Sequence, residues 1–164
     1  MVSRPIVAYF PPPVRIEPFG PSHAAAFDRL NRAWLVDHGL LEPADEVHLS
    51  DPHGSILNAG GQILVAVENE EVVGTCAILP HGPGTAEIVK LTVAPAARGQ
   101  GLGRKLLDAC LAWAREHDIA RVTLLSSTRL GSALKLYEAM GFERRPLPAD
   151  QPYATADVYM EISL

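Results

Sequence analysis

Little in this chain points to a covalent staple, a metal, a membrane or a nucleic acid. It has two cysteines in 164 residues. Both, Cys76 and Cys110, lie inside apolar stretches, so they are expected to be buried small hydrophobes in a reducing compartment. No cysteine pair has the spacing of a zinc site. The six histidines, His23, His38, His48, His53, His81 and His117, are scattered, and no metal is expected. Positive charge is scarce: 14 lysines and arginines against 19 acids leave a net charge of −5, without the basic footprint that nucleic-acid binding needs. No apolar run reaches the roughly 20 residues of a membrane helix. Tyr9, Pro11, Pro12 and Pro13 interrupt the N-terminus before a signal-peptide core forms. Internal repeats and low-complexity tracts are also missing. The expectation is a cytoplasmic protein with no nucleic-acid or membrane partner.

What is present reads as a globular chain. It is 48% hydrophobic and 20% charged, close to ordinary usage. The length suggests one domain over residues 1–164, with 1–13 as an extended entry stiffened by Pro11-Pro12-Pro13. Residues 14–18 alternate like a short strand. Ser22 is placed to cap a helix carrying Phe27, Leu30, Ala33 and Trp34 at helical spacing. A second short helix is expected over 40–49, and Asp51-Pro52-His53-Gly54 has turn chemistry. Three strands follow, over 62–68, 72–79 and 85–93, with Asn69-Glu70 as a tight turn between the first two.

The pattern then changes period. Leu102, Leu106, Ala109, Cys110, Trp113 and Ala114 recur at helical spacing. Residues 121–125 make a strand. Leu130, Ala133, Leu134 and Tyr137 form another helical stripe, which Gly141 ends. Residues 142–145 and 153–162 read as closing strands. The order predicts an α/β (α+β) fold: a mixed, mostly antiparallel sheet flanked by helices, with a central β-α-β crossover from 85–93 to 121–125.

The crossover helix opens on Arg98-Gly99-Gln100-Gly101-Leu102-Gly103-Arg104-Lys105. Alternate glycines let the backbone turn tightly. The first amides of a helix lack internal partners and sit at the positive end of its dipole, which makes an anion site. A phosphate or pyrophosphate is the expected ligand. A P-loop would need a hydroxyl after the lysine, and Lys105 is followed by Leu106. A dinucleotide fingerprint started at Gly99 would need glycine where Arg104 stands. The spacing that fits is Arg-x-x-Gly-x-Gly, at Arg98, Gly101 and Gly103.

With this loop, the preceding block Ala86-Glu87-Ile88-Val89-Lys90-Leu91-Thr92-Val93 and the later block Leu134-Lys135-Leu136-Tyr137-Glu138-Ala139-Met140-Gly141-Phe142, the chain resembles the GCN5-related N-acetyltransferase (GNAT) superfamily from about Val14 to its end. The resemblance implies acetyl-CoA as co-substrate. The amides of Arg98, Gly99, Gln100, Gly101, Leu102, Gly103 and Arg104 would hold the pyrophosphate. Main-chain groups of Leu91, Thr92 and Val93 would hold the pantetheine arm, beside a strand pair that splays. It further implies direct acetyl transfer to a primary amine in a ternary complex. The acceptor would be a small molecule or a protein amine, and a homodimer is possible in such families. Glu87 is the candidate base, because an alkylammonium must lose a proton before it attacks a thioester; a solvated glutamate at a strand start is the alternative. Tyr137 is the candidate acid toward the CoA thiolate, or a core aromatic. Ser127 stands where many relatives have asparagine, and Thr128 suits a helix cap. The acidic set Asp37, Glu42, Asp45 and Glu46, near Trp34, either attracts a cationic amine or forms a solvated face. The alternative to an enzyme is a non-catalytic acetyl-CoA sensor, which needs neither Glu87 nor Tyr137.

Overall fold

The computed structural model describes residues 2–8 and 13–164; Tyr9, Pro11 and Pro12 of the expected stiff entry lie outside them. Strand β1 (Arg15–Pro18) leads to helices α1 (Ala24–Asp37) and α2 (Pro43–Ser50). Strands β2 (Gln62–Glu68), β3 (Glu71–Pro80) and β4 (Thr85–Val93) follow. Then come α3 (Leu102–Glu116), β5 (Arg121–Ser126), α4 (Gly131–Ala139), β6 (Glu143–Arg145) and β7 (Val158–Ser163). Among the described residues seven strands lie in the order β1-β2-β3-β4-β5-β7-β6. All neighbours are antiparallel except β4 and β5, which the α3 crossover makes parallel. The expected α/β class and crossover are therefore observed.

Helices cover both faces of the sheet. Leu106, Leu107, Cys110 and Ala114 of α3 and Leu134 and Tyr137 of α4 pack on one face, with Ala86, Ile88, Val122 and Leu124. Phe27 of α1 and Leu49 of α2 pack on the other, with Ile63, Val65 and Ala77. A strand covered on both faces reads as a continuous apolar run, and β2 is buried at all five inner positions. Cys76 and Cys110 are buried free thiols, and the Cys110 thiol donates to the Cys76 carbonyl at 3.7 Å. Asn69 and Glu70 both have positive φ, 50° and 62°, the primed turn that fits strand twist.

Four local expectations are corrected. Ser22 caps nothing: a 3-10 turn at Pro21–His23 precedes α1, and its cap is the His23 ring, whose Nδ1 accepts from the Gly20 amide at 2.9 Å. The second helix starts at Pro43, where Glu42 and Asp45 form a capping box and proline suits the first helical position. Asp51 to Gly54 do not make a simple turn. Asp51 Oδ1 accepts from the Gly54 amide, and the chain winds into a π-type turn over His53–Leu57, closed by the Asn58 amide on the His53 carbonyl at 2.9 Å. The last strand begins at Val158 rather than near 153, because residues 146–157 are a loop held by side chains from elsewhere.

Strand β4 carries the feature that shapes the site. Thr75 faces Thr92 and Ala77 faces Val89, so Lys90 and Leu91 together oppose Cys76. This is a β-bulge, with Lys90 at φ 55°. Strict alternation from Ile88 would send Leu91 and Val93 toward α1; the extra residue turns them onto the α3 face instead. The freed Lys90 carbonyl accepts from Thr75 Oγ1 at 2.8 Å, and Thr75 Oγ1 accepts from Asn31 Nδ2 of α1 at 3.0 Å. Asn31 and Thr75 are buried, so this relay fixes the bulge to α1. Thr75→Val keeps the shape but strands the half-buried Lys90 carbonyl and one N–H of buried Asn31, and is expected to cost about 1–3 kcal/mol. Urea unfolding checks it: the midpoint should fall with the slope unchanged, and an unmoved midpoint would show that the relay carries no weight.

Candidate active site

Pairing between β4 and β5 runs from Thr85 with Arg121 to Ile88 with Leu124 and then stops. Beyond that point the strands diverge around a cleft enclosing about 790 Å³, part of it open solvent. It is lined by Glu87 to Leu91 of β4, Leu124 to Ser127 at the end of β5, Asn31, Trp34 and Leu35 of α1, Tyr137 of α4, and Tyr153, Thr155 and Ala156 of the last loop. Glu87 shares the α1 side with Val89, and Tyr137 belongs to the core under α3 and α4. The gap between the strands lets groups from opposite faces of the sheet meet in one cleft.

Past the cleft-lining residues, β4 leads through a 3-10 turn at Pro95–Ala97 into the glycine loop. Gly99 and Gly101 have φ of 80° and 74°, and a Cβ at either would meet nothing within 4 Å. Glycine is therefore needed there for the left-handed backbone and not for space. The Arg98 amide bonds Pro95, and the next amide with a backbone acceptor is Lys105, on the Gly101 carbonyl at 3.1 Å. Among the described residues, the amides of Gly99, Gln100, Gly101, Leu102, Gly103 and Arg104 have no acceptor. Arg98 Nε donates to the Val93 carbonyl at 3.2 Å, which ties the loop to the end of β4, while Arg104 and Lys105 stay exposed. Six unpartnered amides at the positive end of a 15-residue helix fit an anion with several oxygens.

The two candidate catalytic groups are perturbed in useful directions. Burial pushes the Glu87 carboxyl above the ordinary carboxylate range, and the nearby His81 and Lys90 charges hold it back. Among the described residues Glu87 has no hydrogen-bond or ionic partner. Burial also pushes the Tyr137 phenol up, and Cys76 adds to the shift, so the phenol stays protonated at neutral pH. No buried polar side-chain atom lacks a partner among the described residues, and the Tyr137 hydroxyl has none. That hydroxyl is therefore open to the cleft, although its ring packs edge-on to Phe142 with centroids 5.9 Å apart.

Other expected residues land differently. Ser127 is buried in the cleft wall, and its Oγ accepts from the Arg129 amide at 3.2 Å. Thr128 caps no helix: α4 starts at Gly131 without a side-chain cap, and the Thr128 hydroxyl donates to Asp157 at 2.7 Å. The acidic set divides. Asp37 is exposed. Glu46 pairs outward with Arg32 through two contacts, at 2.5 and 2.9 Å. Glu42 Oε1 accepts from the Ala154 amide at 2.8 Å, and Oε2 from the Thr155 amide and hydroxyl at 3.1 and 2.6 Å. Desolvation opposes the Glu42 charge, but these bonds outweigh it and hold the carboxyl below its usual range. Asp45 Oδ1 takes Lys90 Nζ at 2.5 Å, and its Oδ2 takes the Glu42 amide at 2.8 Å. Lys90 went unmarked in the sequence, where its one signal was a lone cation inside an apolar strand. Its ammonium also lies 5.5 Å from the centre of the Tyr153 ring.

The model of the acetyltransferase (GNAT) family matches residues 24–142. The chain belongs to the GNAT acetyltransferase family. A rat protein, N-acetyltransferase family 8 member 2, is 31% identical over 116 residues, which are 68% of this chain and 51% of the relative. The chain thus spans about half the length of that relative. The uncharacterized N-acetyltransferase YjgM of Escherichia coli K12 is 38% identical over 127 residues, 72% of this chain and 75% of the relative. Among solved structures, a GNAT acetyltransferase of Staphylococcus aureus Mu50 superposes with a TM-score of 0.85 at 20% identity, covering 92% of this chain and 99% of that one. The PaiA N-acetyltransferase of Thermoplasma acidophilum, solved in complex with coenzyme A, gives 0.74 at 13% identity over 93% and 99%. At such identities these two likenesses speak for the fold alone.

The raised Glu87 carboxyl has a consequence for stability. An unfolded glutamate titrates near about 4.3. The folded state holds its proton to higher pH, so stability is full below that value and is lost as pH rises through the folded pKa. Glu87→Gln removes this penalty. The variant is expected to be more stable than the wild type in urea at pH 7, with the gap closing below about pH 4; an equal or smaller midpoint at pH 7 would count against the raised carboxyl.

Proposed function

We propose that the protein transfers the acetyl group of acetyl-CoA directly to a primary amine held with it in a ternary complex. The observation that carries this reading is the run of six amides without a partner among the described residues, Gly99 to Arg104, on the loop that follows β4, the strand that lines the cleft with Glu87 and Tyr137. The amide run suits the pyrophosphate of CoA. Beyond Ile88 the free edge of β4 suits an extended arm added like a strand along Leu91, Thr92 and Val93. Acetyl-CoA supplies an acyl group on a good leaving sulfur.

The chain supplies proton transfers and a shaped cleft. Glu87 takes the ammonium proton, and the freed nitrogen pair forms the C–N bond as the C–S bond breaks. Tyr137 gives its proton to the sulfur and recovers one from the new amide nitrogen. A base raised toward neutrality and a phenol kept protonated suit these two roles. A sensor would need only the anion loop.

Calorimetry with acetyl-CoA, CoA and ATP, followed by thiol release over an amine panel, tests the reading. Binding of both CoA species and not of ATP is expected, with turnover on at least one amine. Gly101→Glu places a side chain and a negative charge at the amide run, and should weaken CoA binding at least tenfold while the protein stays folded. Glu87→Gln should lose the acidic limb of the pH–rate profile together with most of the turnover. Unchanged affinity in the first variant, or an unchanged limb in the second, would overturn the corresponding assignment.

A further inference from the structure

The acceptor side of the cleft contains more charge than it can offer to a ligand. Two acids and one lysine line it: Asp45, Glu87 and Lys90. Lys90 and Asp45 pair at 2.5 Å with side chains only 7% and 2% exposed. The second Asp45 oxygen already accepts the Glu42 amide. Both Glu42 oxygens are taken by residues 154 and 155, and Glu46 pairs with Arg32 away from the cleft. Glu87 is the lining acid left without a partner among the described residues. Among the other lining residues Trp34, Leu35, Leu40, Leu125, Leu130 and the ring of Tyr153 are apolar, while the polar side chains of Asn31, Ser127 and Thr155 are engaged by Thr75, the Arg129 amide and Glu42.

Resting on the proposed acetyl transfer, we infer that the acceptor is a small primary amine with a single charge on an aromatic or branched apolar body, and that Lys90 sets this preference by neutralising Asp45. A polyamine or aminoglycoside brings several ammonium groups, and after the first reaches Glu87 the next meets an apolar wall or the Lys90 ammonium. Buried charges without partners are strongly disfavoured. An α-amino acid brings a carboxylate instead. The lining cation that would receive it is Lys90, already held by Asp45, and Arg129 lies outside the cleft lining with its guanidinium on the Gly39 carbonyl at 3.2 Å.

The size of the acceptor follows from the strap. Glu42, just before α2, binds Ala154 and Thr155 of the loop before β7. This ties together the two segments that border the acceptor side, 112 and 113 residues apart in sequence. A border tied in this way suits a compact molecule rather than an extended polypeptide passing through. Aromatic wall residues suit a flat apolar body.

The test compares phenylethylamine, spermidine, kanamycin, phenylalanine and a short peptide with a free N-terminus, using the wild-type protein at saturating acetyl-CoA. Thiol release gives kcat/KM. Fluorescence of Trp34 in the presence of CoA gives binding without chemistry, with Trp34→Phe as the control, because Trp113 lies outside the cleft. Phenylethylamine is expected to exceed each of the others at least tenfold in kcat/KM and to give a saturable signal that the control loses. Spermidine, kanamycin, phenylalanine or the peptide matching it would overturn the inference while leaving acetyl transfer intact. So would the absence of any phenylethylamine binding. Saturable phenylethylamine binding with no thiol released from any amine would support the pocket chemistry and count against acetyl transfer. Lys90→Met exposes the Asp45 charge and should raise the ratio of spermidine to phenylethylamine turnover at least tenfold. An unchanged ratio in folded protein would remove Lys90 from the preference, and the wild-type panel decides the acceptor class whether or not that variant folds.

Discussion

The bulge at Lys90 is the constraint on which the site depends. A regular strand would place Leu91 and Val93 under α1 and aim Lys90 into the apolar core beneath α3, where an ammonium has no partner. The extra residue reverses both. It sends two apolar side chains to α3 and delivers the ammonium to Asp45 on α2. The cost is a left-handed lysine at φ 55° and a carbonyl lost to the ladder. Thr75 of β3 satisfies that carbonyl, and Asn31 of α1 in turn donates to the Thr75 hydroxyl. Helices, bulge and ion pair are therefore coupled: removing one partner of such a buried pair costs about 3–5 kcal/mol.

The bulge also helps explain why the cleft lies where it does. Pairing of β4 with β5 ends at Ile88, two residues before Lys90. A bulged strand bends and twists more strongly than its neighbour, so β4 leaves β5 and the sheet opens between them. Through that opening Glu87 and Tyr137, which the fold assigns to opposite faces, border the same space. The strand that opens the gap leads, through a 3-10 turn at Pro95–Ala97, to the loop of free amides, so Glu87 and the candidate anion site lie on one stretch of chain, Glu87 to Arg104.

Much of this was legible in the sequence, for identifiable reasons. Strands covered on both faces are long apolar runs, and α3 shows a clear stripe, so element order and the crossover could be read directly. The glycine loop was legible because positive φ and helix starts demand particular residues. Local caps were not. His23 displaces Ser22 as the cap, and Thr128 bonds Asp157, through contacts that depend on where the chain has already gone. The bulge was invisible because Glu87 to Val93 fits an ordinary strand, and a one-residue slip leaves composition untouched. The acidic set could be named but not apportioned: whether Glu42, Asp45 and Glu46 face a ligand or one another is decided by partners distant in sequence, Thr155, Lys90 and Arg32.

The pair Glu87 and Tyr137 favours chemistry over sensing on energetic grounds. A carboxyl raised by burial makes the fold less stable at neutral pH than a neutral residue would, and no local bond repays it, because Glu87 has no partner among the described residues. A protein that only bound an anion at its glycine loop would gain from replacing it. Lys90 and His81 limit the shift instead of abolishing it, which leaves the carboxyl above that of an exposed glutamate. Across the gap, burial moves Tyr137 the same way, but for a phenol that direction preserves the proton. In the proposed mechanism one environment would thus supply an acceptor and a donor of protons on two sides of one cleft, the separation of roles that acid–base catalysis requires.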